Sequence, residues 1–351
     1  LTLIAQALLA ERIGGTGVAV GLLTAFQFAP VLLLGAWGGL VADRSDKRKL
    51  LVVVQAFAMV QSFALAAFAF SGTESLPILY LIAFAGGLSM AFDNPARRAL
   101  VVEMVDETQV ANAVSLNSAL MTSSRVVGPA LAGVLIGTVG YGWCFLVDGL
   151  SYIAVLIAYA LMNPAEFRPG PTVERGKGQV RAGLRYVAGV AELRIPLVMM
   201  TIIGTLAFNF SVVFPLFVRK TFGGADWMYT ALFSVVSVGS LVGALYAARR
   251  AEVGLRNVVV AATGFGVTML ALAASPNLAV VFVVGLLLGV ASIAFLTTST
   301  AIVQLRAAPE MRGRVLALQA MVFLGSTPIG GPIVGAVCDA FGPRAGVALG
   351  G

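Results

Sequence analysis

The chain is 351 residues long, 59% hydrophobic and 11% charged, with a mean hydropathy of +0.96. Soluble domains carry about a quarter charged residues, so a soluble globular protein is excluded and a polytopic helical membrane protein is indicated. A net charge of +7 would also suit a nucleic-acid binder, and the placement of the basic residues has to decide.

Residues 1–10 read as the second half of a helix, and 11–15 as a short polar turn. An apolar run over 16–42, containing Gln27 and Pro30, is long enough to cross a bilayer. It ends in a dense basic knot from Asp43 to Lys49. Further spans are predicted at 50–70, 76–96, 111–139 and 142–162, the second of these ending at Asp93, Asn94 and Pro95 ahead of a polar connector over 103–109. The longest polar stretch, 163–178, holds Pro164, Pro169, Gly170 and Pro171 and marks a domain boundary. In 179–194, Val180, Leu184, Val187 and Ala191 fall at helical spacing opposite Arg181 and Arg185, as in a helix at the membrane interface with its basic groups on anionic headgroups. Spans at 195–218, 227–248, 255–274, 278–305 and 312–339 follow, and another helix begins at 341. The chain starts at Leu1 rather than Met and is read as a fragment with incomplete first and last helices.

If the knot is cytoplasmic, alternate loops must be too. Those loops hold eighteen Lys and Arg, and the opposite loops four: Arg12, Arg219, Lys220 and Arg344. This is the positive-inside bias of a membrane protein, spread along one membrane face, and it disposes of the nucleic-acid reading. The remaining basic residue, Arg125, lies inside a span.

There is no histidine, so a proton relay would have to use carboxylates. Cys144 and Cys338 have neither disulfide nor metal spacing and read as small apolar fillers, so no metal or cofactor is expected. No GxxxxGK[ST] loop is present, so the chain is not expected to hydrolyse ATP. Clustered His, Cys or acids that would mark a membrane enzyme are missing as well.

A shift of 203 residues brings the halves into register: Gly86, Ser89, Ala91 and Phe92 meet Gly289, Ser292, Ala294 and Phe295, Glu107 meets Glu310, and Pro129 meets Pro332. The knot itself reads Gly39, three residues, Asp43, Arg44, then Arg48 and Lys49. This spacing resembles the loop between helices 2 and 3 of the major facilitator superfamily, with Asp46 where the family usually has Gly. The resemblance implies an all-α membrane fold of two parallel six-helix bundles, here 1–162 and 195–351, joined by a cytoplasmic linker with an amphipathic helix over 163–194. It further implies a midplane substrate site between the halves and transport by rocking one half against the other.

The same resemblance implies a conformational latch made of Gly39, Asp43, Arg44, Arg48 and Lys49. Asp43 would face the start of helix 11, where exposed N–H groups carry partial positive charge, and would pair with Arg97 or Arg98 of helix 4. The competing reading is generic loop charge. Ser124, Gly128, Pro129 and Gly133 resemble a helix 5 motif of the family's antiporters, where small residues permit close helix approach and proline kinks the helix. Arg125, near mid-bilayer, is read either as an anchor for an anionic substrate or as half of a fixed ion pair, with Asp93 and Asp148 as candidate acids. Gln27, Asn117, Asn209 and Gln319 are read as cavity-lining or as bonding between helices. Drug–proton antiporters of the superfamily often carry an arginine within helix 4; Ile82 and Ala83 stand there instead.

FDNPARRALVVEMV, SRVVGPALAG and RYVAGVAELRIP are similar to the enterobactin-exporter-like branch, also called transmembrane secretion effectors. The function this implies is proton-coupled export of small amphiphilic molecules, a drug, siderophore or metabolite, across a bacterial inner membrane by a monomer. The alternatives are an importer or uniporter of the same fold and, from a different class, a non-transporting sensor or enzyme.

Overall fold

The computed structural model describes residues 1–163, 167, 179–247 and 254–351. Among these the chain is helical, without strands. Ten of its helical segments are long and apolar enough to span a bilayer. Such a chain has few choices, because every backbone polar group must be satisfied internally where no water reaches. The remainder of the predicted linker, with Arg168, Arg175 and Lys177, lies outside the described residues, as do Arg249 and Arg250.

The chain divides into two units, Leu1–Gly14 with Phe26–Glu174, and Gly15–Ala25 with Arg175–Gly351. The first contains α1 (Thr2–Gly14), most of α2 (Gly17–Arg44), α3 (Lys47–Phe70), α4 (Leu76–Glu103), α5 (Val110–Thr138) and α6 (Tyr141–Leu161). Within it α3 packs against α4 and α6, while α5 rests on α1, α4 and α6. The second contains the start of α2, then α7 (Gln179–Gly189), α8 (Ala191–Leu206), α9 (Phe210–Leu216), α10 (Asp226–Ala247), α11 (Leu255–Ala274), α12 (Leu278–Arg306), α13 (Pro309–Phe341) and α14 (Pro343–Gly350). Here α12 packs against α10 and α11, and α13 against α7, α8 and α14.

Four expectations change. First, Asp93, Asn94 and Pro95 do not end α4, which continues to Glu103. Pro95 has no N–H, so the carbonyl of Ala91 loses its helical partner; Gly38 of α2 lies directly against that carbonyl, where a Cβ could not fit. Second, the knot is not a loop. The Asp46 carboxylate accepts the backbone N–H of Lys49 at 3.1 Å and caps α3, which places Lys47, Arg48 and Lys49 in its first turn. Third, the span predicted at 195–218 is broken at 207–209 between α8 and α9, and a π-helical turn follows at Phe217–Thr221. Pro215 contributes by withdrawing another backbone donor.

Fourth, the amphipathic stretch is not one helix. It divides at Val190, and α7 packs onto protein: Val187 is buried with Leu193, Met200 and Ile302, and Gly183 brings α7 close to Leu318 of α13. The Tyr186 hydroxyl accepts the backbone N–H of Ala308 at 3.0 Å. Leu184, expected on the buried face, is exposed beside Arg185.

Candidate functional site

At the knot, Gly39 is buried and Asp43 lies half-buried in the last turn of α2, with Arg44 exposed beside it. Arg48 reaches the end of α6. It donates to the carbonyls of Tyr159 (2.5 Å) and Ala160 (2.9 Å), two of the carbonyls that the end of α6 leaves without helical partners. Lys47 pairs with Glu103 at 2.9 Å, both side chains being largely buried. Lys49 is exposed and lies 3.9 Å from Asp46. Arg97 forms an ion pair with Asp93 one turn earlier on α4, and Asp93 also accepts from the Gln55 amide of α3 at 2.6 Å. Arg98 is exposed. The structure thus brings together Asp93, Arg97 and Gln55; the last was not legible as a partner because only packing sets α3 beside α4.

Asp148, the other acid considered for Arg125, is also committed elsewhere. It accepts from Thr2 of α1 at 2.6 Å and from Ser62 of α3 at 2.9 Å. Arg125 is exposed, and among the described residues no carboxylate lies within ion-pair distance of it. Of the two readings of Arg125, the fixed pair with Asp93 or Asp148 is not formed, since both acids are engaged elsewhere. The direction of Arg125 follows from helical geometry. Ser118, Arg125, Pro129, Ala132 and Ile136 share one face of α5, and the last three are buried in the bundle. The opposite face carries Leu116, Leu120, Val127, Leu131 and Val134, all at least half exposed. An apolar stripe of that kind suits lipid, and Arg125 is on the other side. The Ser124 hydroxyl is spent on the carbonyl of Leu120 at 2.8 Å. Gly128 has open space where a Cβ would stand; Pro129 and Gly133 are buried.

Inside the first unit the Gln27 amide donates to the Gln6 carbonyl oxygen at 2.9 Å. Gln6 is fully buried and its Nε2 has no partner. Sequence reading passed over Gln6, although a glutamine within the apolar run 1–10 was the available signal. Asn117 lies half-buried on α5.

In the second unit Asn209 ends the break between α8 and α9. Its Nδ2 donates to the Thr205 carbonyl at 2.7 Å, while its Oδ1 is buried without a partner. Gln319 on α13 makes one long contact, to Thr300 at 3.4 Å, and its Oε1 is likewise unpartnered. Beside Asn209, Phe208 packs against Phe265 of α11 and Phe323 of α13, with ring centroids 5.0 and 5.1 Å away. A broken helix, unused amide oxygens and aromatic rings in tilted and edge-to-face contact together can accept N–H donors and hold an apolar body. The described residues hold no group of three His, Cys, Asp or Glu side chains suited to a metal ion.

Known proteins resemble this arrangement along nearly its whole length. The family model described as transmembrane secretion effector matches residues 2–349. The chain is 25% identical over 331 residues to the Staphyloferrin A transporter of Staphylococcus aureus, covering 93% of this chain and 82% of that one. It is 26% identical over 355 residues to the Multidrug efflux pump Tap of Mycobacterium tuberculosis (96% and 83% covered) and 21% identical over 325 residues to Macrolide efflux protein A of Streptococcus pyogenes (90% and 80%). Among solved structures it matches a bacterial homolog of the human lysosomal transporter Spinster, with a TM-score of 0.75 at 16% identity over 97% of this chain and 80% of that one. A D-xylose–proton symporter matches with a TM-score of 0.75 at 13% identity, over 99% and 92%. At such identities the structural matches speak for the fold.

Proposed function

We propose, because this chain belongs to the transmembrane secretion effector family of the major facilitator superfamily, that it exports small amphiphilic molecules in exchange for protons. It is a multi-pass transporter of a bacterial inner membrane and not an enzyme. Its relatives are named for a staphyloferrin, macrolides and multiple drugs, and this reading assigns small amphiphilic molecules to the present chain.

The observation that carries the reading is Arg125. Placing an arginine within a span costs roughly 2.5–3.5 kcal/mol on insertion scales. Such a cost is retained where the charge meets a partner or a cavity, and here both candidate acids are engaged elsewhere. An anionic group on the cargo is the partner that the reading assigns to it. The unused amide oxygens of Asn209 and Gln319, beside the Phe208 cluster, would take donor groups and apolar parts of the same class of molecule. Asp43 serves in this reading as a latch at the knot, and the chain works as a monomer.

Everted membrane vesicles test the direction and the driving force. Export predicts uptake of a fluorescent amphiphilic acid into everted vesicles when their interior is acidified, and loss of that uptake when a protonophore collapses the gradient. Uptake confined to right-side-out vesicles would make the chain an importer, and uptake indifferent to the gradient a uniporter.

A further inference from the structure

At the end of α2 away from the knot, an acid of α13 holds the first turn of the helix. The Asp339 carboxylate accepts the N–H of Gly17 through Oδ1 at 2.6 Å and that of Val18 through Oδ2 at 2.8 Å. Thr16 accepts the N–H of Ala19 at 3.2 Å. A helix begins with four N–H groups that have no internal partner, and three of those of α2 are taken here, two of them by a residue more than three hundred positions away in sequence. Lys220 stands 3.6 Å from the same carboxylate.

Below this cap the two backbones touch. Gly17 faces Gly335 and Gly21 faces Gly331, and a Cβ on any of the four would run into the facing backbone oxygen. Four-residue spacing on both helices puts each pair of glycines on one face. Charge-assisted bonds to backbone N–H groups are about twice as strong as neutral ones, whereas a glycine seam in contact with lipid gains little from hydrophobic burial. The two Asp339 bonds thus add a charge-assisted hold to the packing of the seam.

We propose that Asp339 is a releasable latch: its carboxylate fastens the start of α2 to α13, and the transport cycle opens this side by letting that first turn go. The inference rests on the transport reading above. The cap suits release because both partners sit near the helix ends, where water can satisfy the carboxylate and the freed N–H groups once they separate. The side chain of Asp339 is already about a quarter exposed. α2 also carries an acid in its own last turn, Asp43, so a carboxylate closes each of these two helices.

The test uses Val20, which is fully buried in the second unit, as a reporter. In the full chain carrying Val20→Cys, a membrane-impermeant maleimide is added to right-side-out vesicles; the native Cys144 and Cys338 are buried and supply a slow background. Asp339→Ala and Asp339→Asn are expected to speed labelling of that cysteine about ten-fold, and Asp339→Glu to return it toward the parent rate. Gly335→Ala, which wedges the seam while leaving the carboxylate in place, is expected to speed it too and covers the case in which Asp339→Ala fails to insert. Equal rates in the parent and in these variants would overturn the latch. So would faster labelling that comes with a lowered melting temperature and is undiminished by Asp339→Glu, since that is general loosening. Labelling that responds as expected in a protein showing no vesicle uptake would leave the latch standing and remove the export reading.

Discussion

Gln27 of α2 donates its side-chain amide to Gln6 of α1 at 2.9 Å, both of them buried in the first unit. Removing one partner leaves the other to face apolar surroundings alone. Gln27→Leu or Gln6→Leu is expected to destabilise by about 0.5–2 kcal/mol, while the double change costs less than the two single changes combined. Thermal melts of the four proteins in one detergent make the comparison, and strict additivity would show that the bond contributes nothing.

Asp93 and Arg97 form a second internal pair, joined by Gln55. Asp93→Asn strands the guanidinium, whose side chain is 38% exposed. Because solvent screens a group that open, the expected loss is about 1–2 kcal/mol rather than the several reported for a fully buried pair. Gln55→Leu should cost less, since Arg97 still neutralises the acid. Denaturation midpoints that rank Gln55→Leu as the more damaging would contradict this ordering.

Arg125 is expected to behave in the opposite way. With no carboxylate beside it among the described residues, Arg125→Ala should leave the melting temperature unchanged or raise it, while uptake of an anionic cargo into everted vesicles falls at least about ten-fold, the equivalent of 1.4 kcal/mol. Arg125→Lys should retain part of the activity. An Arg125→Ala protein that transports the acid as well as the parent does would sink the anchor role.

Two glycines on neighbouring helices separate close packing from open space. A Cβ on Gly87 of α4 would meet the Gln27 carbonyl and the Pro30 ring of α2, whereas one on Gly128 of α5 would meet nothing within 4 Å. Gly87→Ala is expected to cost about 1–3 kcal/mol by overpacking. Gly128→Ala should be neutral or slightly stabilising, because alanine favours the helix over glycine. Paired thermal melts read the difference directly.

Much of this architecture was legible from residue order because a bilayer reduces the problem to length and polarity. Apolar runs of twenty or more residues must become helices, so most spans were placed within a few residues, and the resemblance of the knot, with the charge bias and the repeat beside it, implied the class of fold. The misplaced boundaries have local causes that the pattern could not resolve. Asn94 and Pro95 look like a helix end, but α4 runs on through them to Glu103, with Gly38 of α2 packed against the Ala91 carbonyl that Pro95 leaves unbonded. The stretch 195–218 reads as one span, yet it breaks before Asn209, whose side chain bonds back to Thr205.

Which polar groups pair across helices was decided by tertiary packing. Asp93, Asp148 and Arg125 all stood in the sequence as ionisable groups within spans; the i,i+4 spacing of Asp93 and Arg97 offers their pair, but nothing along the chain could assign the partners on other helices. Gln55, Thr2 and Ser62 came to the two acids from other helices, and no carboxylate among the described residues came to Arg125. Asp339 was read only as the end of a span, and its hold on Gly17 and Val18 joins opposite ends of the chain. Periodicity reports which side of a helix is apolar; it carries no record of which helix will lie against it, and hydrogen bonds between helices depend on that second fact.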